Sequence, residues 1–303
     1  MTLERTVTFD GPATPEATLS PLRRGPGDPT FQFAADGSIW RTSQMPTGPV
    51  TARITRLRPN IVRAQMWGVG AAEFAERLPA FLGAGDDPTG FAPTHPTVAA
   101  AWRKAPHLRL GRTGRVLEAL IPAVLEQRVP GVDAFRAWRI LVTKYGTPAP
   151  GPAPARMRVM PAPEVWRRIP SWEFHRANVD PGRARTVIGC AQRAESLERL
   201  VSRPPEVARA AMTSLPGVGV WTAAETAQRA FGDADALSVG DYHVSKMIGW
   251  TLLGHSVDDA EMVELLAPMA PHRHRVVRLL YTSGLAQEPR RGARLPVQNI
   301  SAL

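Results

Sequence analysis

Two features of this sequence could do chemistry, and they lie a fixed distance apart. The stretch SLPGVGVWTA (214–223) sets Pro216 against Gly217 and Gly219, and 22 residues after Gly219 the stretch SVGDYHVSK presents a lone carboxylate, Asp241. Proline fixes one backbone dihedral, while glycine permits backbone shapes barred to other residues. A tight glycine corner at the start of a helix exposes amides that have no partner within the helix. Those amides, backed by the helix dipole, form a site for a phosphate, and such contacts position a nucleic acid without reading its sequence. The same corner also serves as an ordinary connection between two helices. Asp241 is equally two-sided. A carboxylate stabilises positive charge that develops on a reacting group and can steer or deprotonate water, but capping a helix is the commonest use of such an aspartate.

The elements that must position these residues can be read from periodicity. PPEVARAAM before the corner and WTAAETAQRAF after it both read as helices, with Leu215 and Val218 turned inward. DYHVSKMIGWTLL reads as a helix that starts at Asp241, and DAEMVELLAPM and HRHRVVRLLY continue the helical texture. Upstream, GRVLEALIPAVLEQRV (with Pro122 inside), VDAFRAWRILVTKYG and GRARTVIGCAQRAESLERL are helical, and APGPAPARMRVMPAPEVW is a proline-rich connecting loop. The N-terminal region alternates instead. TFQFAADGSIW turns at Asp36-Gly37, a strong hairpin signal, VTARITRL and NIVRAQMWG continue the alternation, and AAEFAERLPAFLG follows as a helix. The predicted fold class is α+β, a small antiparallel sheet with one helix followed by an all-helical region. Residues 1–27 are expected to be a loose arm, 28–104 the sheet domain, 105–286 the helical domain and 287–303 a basic tail.

Composition narrows the function. The 303 residues suit one large domain or two ordinary ones. No apolar run is long enough for a membrane span or a signal peptide, which predicts a soluble, cytoplasmic protein. The formal charge of +10 favours a polyanionic partner, and 34 of the 37 basic residues are arginine, whose fork matches phosphate. Cys190 is the only cysteine, so no internal disulfide, four-cysteine zinc site or iron–sulfur cluster can be built; it is expected as a buried thiol. No side-chain metal site is expected.

The apolar-Pro-Gly-apolar-Gly corner, the flanking WTA and DYHV, and the 22-residue spacing to Asp241 together resemble the helix-hairpin-helix (HhH-GPD) DNA glycosylase superfamily. The closest likeness is to the bacterial 3-methyladenine DNA glycosylase II family, whose small TBP-like sheet domain precedes the helical region. The resemblance spans about residues 28–285, with its motifs in 105–285. It implies excision of alkylated purines from double-stranded DNA in base excision repair, by a monomer acting near the nucleoid. Breaking an N-glycosidic bond leaves oxocarbenium character on the sugar, and the resemblance assigns its stabilisation to Asp241. It assigns Leu215, Pro216, Gly217, Val218, Gly219 and Thr222 to the DNA strand, and Trp221 and Tyr242 to the pocket for the extruded base. Superfamily members that also cleave the strand carry a Schiff-base lysine where this chain has Trp221, which implies a monofunctional enzyme with water as nucleophile. Of the three lysines, Lys104, Lys144 and Lys246, Lys246 should face away from Asp241. The family's hairpin can hold an alkali-metal ion on backbone carbonyls, here Thr213 to Val218, and no other cofactor is implied.

The chain departs from the family at several points. Glu225 stands where a pocket tyrosine is expected and Leu280 where a tryptophan is expected, so the pocket is less aromatic; Glu225 either reads a base edge or is a solvated helix residue. In VLEQRV (124–129), Gln127 matches the lesion-site mouth, and Arg128 takes the place of an apolar wedge, or is surface charge. PHRHRVVR (271–278) is expected as a phosphate-facing patch. Two other readings are a non-catalytic DNA-binding or damage-sensing protein and a glycosylase for a different damaged base.

Overall fold

The computed structural model describes residues 2–288, so almost all of the tail read at 287–303 lies outside the described residues. Strands β1 (Leu3–Thr8), β2 (Phe31–Phe33), β3 (Ile39–Met45), β4 (Gly48–Arg58) and β5 (Ile61–Trp67) form an antiparallel sheet in the order β1-β5-β4-β3-β2. Side chains alternate across a strand, so Val50, Ala52 and Ile54 of β4 and Val62, Ala64 and Met66 of β5 share one buried face. Following α1 (Pro15–Leu19), helix α2 (Ala71–Phe81) covers that face with Phe74, Leu78 and Phe81. The β2–β3 turn falls where it was expected, with Gly37 at φ +78° and the Asp36 carboxylate accepting from the Ser38 amide at 2.9 Å.

The first 27 residues are not a loose arm. β1 pairs with β5 from Leu3↔Met66 to Thr8↔Ile61, and Val7, Phe9, Ala13 and Leu19 enter the sheet core. The strand lies at the edge and buries only Val7, so its sequence carries almost none of the alternation that marks a strand.

The remainder is helical. α3 (Pro96–Lys104), α4 (Val116–Leu125), α5 (Gly131–Tyr145), α6 (Pro163–Trp166), α7 (Ser171–Arg176), α8 (Pro181–Gln192) and α9 (Ala194–Glu198) lead to α10 (Pro205–Thr213) and α11 (Val220–Ala230). α12 (Val244–Leu253), α13 (Asp259–Leu266) and α14 (Arg273–Ser283) close the described chain. One core gathers α4, α5, α8, α10 and α11 around an entirely buried α4, and it holds Cys190; a second gathers α3 with α12, α13 and α14. α3 was expected on the sheet side of the domain boundary, but Val98 and Ala101 bury it in the second helical core. The proline-rich connector is also more than a loop. It pairs β6 (Thr147–Pro148) with β7 (Arg158–Val159) and fastens to the sheet where Thr42 Oγ1 donates to the Arg158 carbonyl at 2.6 Å.

Candidate active site at the helical hairpin

The hairpin joins α10 to α11. Val218 is buried and Leu215 packs on the first helical core, leaving Pro216, Gly217 and Gly219 exposed at the tip. Gly217 has φ +83°, and a Cβ there would come within 2.0 Å of Thr186 Oγ1, so the fold itself requires glycine. Gly219 has φ −92°, and a Cβ added there would meet nothing within 4 Å, so nothing inside the protein requires it. Gly219 is the N-cap of α11 and no side chain caps that end, which leaves the first amides of the helix directed outward. Of the residues read as touching DNA, Leu215, Val218 and Thr222 have packed side chains, and Thr222 is 2% exposed. Only their backbone, together with Pro216, Gly217 and Gly219, can meet a strand. Gln127 at the end of α4 clamps this loop, donating from Nε2 to the Gly217 carbonyl at 2.9 Å and to Thr222 Oγ1 at 2.8 Å. Arg128 follows, exposed and at φ +55°.

Asp241 both caps and faces the hairpin. α12 begins three residues later than its periodicity predicts, at Val244, because Asp241 Oδ1 accepts from the amides of His243 at 2.8 Å and Val244 at 3.1 Å and so starts the helix. Oδ2 accepts from the indole Nε1 of Trp221 at 2.9 Å. The carboxylate is half-buried, and its loop is tied down by Asp259, which accepts from the Gly240 amide at 2.9 Å. Trp221 stands one turn before Glu225 on α11, which turns both toward Asp241's loop. Glu225 is not solvated: Oε2 pairs with Arg229 at 2.7 Å and Oε1 accepts from Ser238 Oγ at 2.6 Å. Burial opposes its ionisation, but Arg229, the Ser238 hydroxyl and Arg24 outweigh burial and hold the carboxyl below its usual range. Ser238 accepts from Gln228 Nε2 at 2.8 Å, and its carbonyl accepts from the Asp241 amide at 3.2 Å. Glu225 therefore braces the loop that carries Asp241, and its oxygens are not free for a base edge.

Of the other predicted pocket residues, Tyr242 is exposed directly after Asp241 and Leu280 is buried. Tyr242 is 72% exposed, with Lys246 Nζ 3.5 Å from its ring centroid. Leu280 is fully buried in the second helical core, so it offers no face to a ligand. The patch read at 271–278 is internal too. Arg275 is wholly buried and bidentate to Asp86, at 2.9 and 2.6 Å, Arg273 pairs with Asp235, and His272 and His274 are buried. Those arginines hold protein carboxylates, so they do not meet phosphate. Sequence reasoning missed two residues beside the site. Arg24 Nη1 lies 2.8 Å from Glu126 Oε1, and the charge of Glu126 senses Asp241, Glu225 and Arg229. Burial pushes the Glu126 carboxyl up, which Arg24 and Arg229 only partly offset. Glu126 directly precedes Gln127 in VLEQRV, but Arg24 lies about a hundred residues upstream and carries no local signal.

Among known structures the chain is similar to a 3-methyladenine DNA-glycosylase from Archaeoglobus fulgidus, with a TM-score of 0.75 over 92% of this chain and 98% of that one at 15% identity. It is also similar to a Clostridium acetobutylicum 8-oxoguanine glycosylase/lyase, with a TM-score of 0.71 over 93% and 98% at 11% identity. Its fold is that of the helix-hairpin-helix DNA glycosylases. At 92% and 93% of this chain, the likeness takes in the sheet domain as well as the helices around the hairpin. No family model matches the chain. Among characterised sequences, a probable bifunctional transcriptional activator/DNA repair enzyme from Mycobacterium tuberculosis is 32% identical over 155 residues, 48% of this chain. The chain spans only 29% of the length of that relative. No helix among the described residues is long and apolar enough to cross a membrane, and no group of three or more His, Cys, Asp or Glu side chains among them could hold a metal.

Proposed function

We propose that the protein is a monofunctional DNA glycosylase of base excision repair that releases alkylated purines from double-stranded DNA. The observation that carries this reading is the Asp241 carboxylate, joined to Trp221 at 2.9 Å immediately beside the glycine hairpin. The outward amides at the start of α11 grip a backbone phosphate near the lesion, and the lesion nucleotide swings out of the stack toward Trp221. As the C1′–N bond breaks, its electron pair leaves with the base. Positive charge spreads over C1′ and the ring oxygen, and Asp241 stabilises it. A water oxygen then bonds to C1′ and gives up its proton with Asp241 as the nearest base. Trp221 at the lysine position of the strand-cutting relatives supports hydrolysis without a lyase step; Lys246 is engaged on Tyr242 and Lys144 on Glu173. Of the hairpin carbonyls from Thr213 to Val218, Leu215's accepts from Val218 and Gly217's from Gln127, leaving those of Thr213, Ser214, Pro216 and Val218 for an alkali-metal ion. The protein is expected to work as a monomer.

A second reading, a glycosylase for a hydrogen-bonding rather than purely stacking lesion, is favoured by one observation: with Glu225 paired to Arg229 and Leu280 buried, only Trp221 and the exposed Tyr242 among the predicted pocket residues offer an aromatic face. Incubation with methylated duplex DNA should release free methylpurines, identified by mass, and leave alkali-labile abasic sites. Asp241→Asn keeps an oxygen for the cap amides but removes the charge. It should slow release by at least roughly 100-fold, in line with loss of a charge-stabilising group, while DNA affinity changes little. Equal release by both proteins would refute the mechanism.

A further inference from the structure

We propose that the cleft between α1, α11 and α14 binds a small tetrahedral oxyanion, free inorganic phosphate, on Arg112, Arg278 and His274. This goes beyond the glycosylase reading and does not depend on it. Arg112, Arg229, His274 and Arg278 line the cleft together with Thr18 and Leu19 of α1, and no carboxylate lines it. Its space is about 30 Å³, roughly twice what one water needs. The oxygens of a phosphate share one central atom and so sit closer together than separate waters, and a single ion fits. The cleft opens to solvent beside Arg112, which is exposed.

The charge of this lining is not balanced. Arg229 is paired with Glu225 at 2.7 Å. Arg112 and Arg278 have no ion-pair partner among the described residues. Arg278 is partly buried and spends Nη2 on the Ala17 carbonyl at 2.8 Å. Its other N–H groups are neither bonded nor sealed from solvent, so they open onto the cleft. Burial, then the charge of Arg229, pushes the Arg278 guanidinium down to about 10. His274 is kept neutral by burial and the surrounding arginines. Its ring nitrogens have no hydrogen-bond partner among the described residues and are not sealed either, so it supplies one further N–H. A cation removed from water without a partner costs free energy, and an anion between Arg112 and Arg278 removes that cost. Guanidinium forks match pairs of oxygens, which a halide lacks. A tetrahedral ion also accepts from several sides at once, whereas a carboxylate accepts in one plane. Arg229 lies nine residues beyond Val220 at the hairpin end of α11, about 13 Å along the helix, so a strand gripped at the tip leaves the cleft to a free ion.

Unfolding temperatures of the full-length protein in phosphate-free buffer read occupancy, because a ligand that binds only the folded state stabilises it. Adding inorganic phosphate to about 10 mM should raise the midpoint by at least about 3 °C, and sodium chloride at matched ionic strength should do much less. Arg278→Gln keeps a donor for the Ala17 carbonyl but loses the charge, and should lose most of the rise. The Arg112 side chain makes no hydrogen bond or ion pair among the described residues, so Arg112→Gln should fold as the wild type does. In calorimetric titration it should weaken phosphate binding by at least about tenfold, as expected for one charge-assisted hydrogen bond. An equal rise with sodium chloride, or an undiminished response in both variants, would overturn the proposal. Phosphate competing with undamaged duplex DNA, with DNA affinity falling in both variants, would show a strand phosphate in the cleft and overturn the assignment to a free ion.

Discussion

Trp221 shows how one side chain can serve both a substrate and a catalytic group. Its indole N–H is taken by Asp241 Oδ2 at 2.9 Å, so only its ring face remains for a base. Because Oδ1 is fixed by the His243 and Val244 amides, the indole bond sets the rotation of the carboxylate about its own axis. Trp221→Phe preserves an aromatic face but deletes the donor. A hydrogen bond to a charged group contributes about 1.5–3 kcal/mol, so base release should slow by roughly 10- to 100-fold. Single-turnover rates measured at saturating protein would report this loss at the chemical step. If the rate is unchanged and only affinity falls, Trp221 stacks on the base without orienting Asp241. This partnership was partly legible in advance, since the spacing placed both residues at one site. The indole-to-carboxylate bond was not, because residue spacing does not reveal which atom of a ring points where.

The hairpin between α10 and α11 divides its two glycines into two physical jobs. Gly217 serves the fold: its φ of +83° and the 2.0 Å approach to Thr186 Oγ1 leave no room for a methyl group. Gly217→Ala should destabilise the protein by roughly 2–5 kcal/mol, combining left-handed strain with overpacking. Gly219 has an ordinary φ and open space around it, so Gly219→Ala should leave the urea midpoint within experimental error. If a strand lies against this tip, that same added methyl blocks it, and affinity for duplex DNA measured by anisotropy should fall by at least about tenfold. An unchanged affinity would mean that the hairpin does not grip DNA. The corner was readable from sequence because proline and glycine mark turns whatever surrounds them. Elements whose identity depends on their neighbours were not. β1 buries one residue and is a strand only because β5 pairs with it, and α3 reads as part of the sheet domain until α14 is packed against it.

Across the whole molecule, the arginine-rich segment of α14 joins distant parts of the chain. Arg275 on α14 is bidentate to Asp86 in the loop after α2, and Arg278 Nη2 donates to the Ala17 carbonyl at 2.8 Å in α1. Composition made this segment look like a surface for phosphate; its carboxylate partners Asp235 and Asp86 lie 38 and 189 residues earlier, so their pairing emerges only on folding. His274 sits among these cations, lining a cleft with Arg112, Arg229 and Arg278. Burial, reinforced by Arg278, Arg229 and Arg275, holds its imidazole well below the usual range, so it stays neutral in the folded protein. The unfolded chain regains an ordinary histidine that takes up a proton below about pH 6.5. The unfolded state then binds more protons than the native one, and stability falls as the pH drops through that point, by up to about 1.4 kcal/mol per unit for this single site. His274→Phe removes the site while keeping a flat ring in place. Urea midpoints between pH 7.5 and 5.5 should decline less in the variant than in the wild type, with the gap opening below about pH 6.5. The carboxylates titrate alike in both proteins, so the difference isolates His274, and parallel curves would show that the imidazole is protonated in the native state.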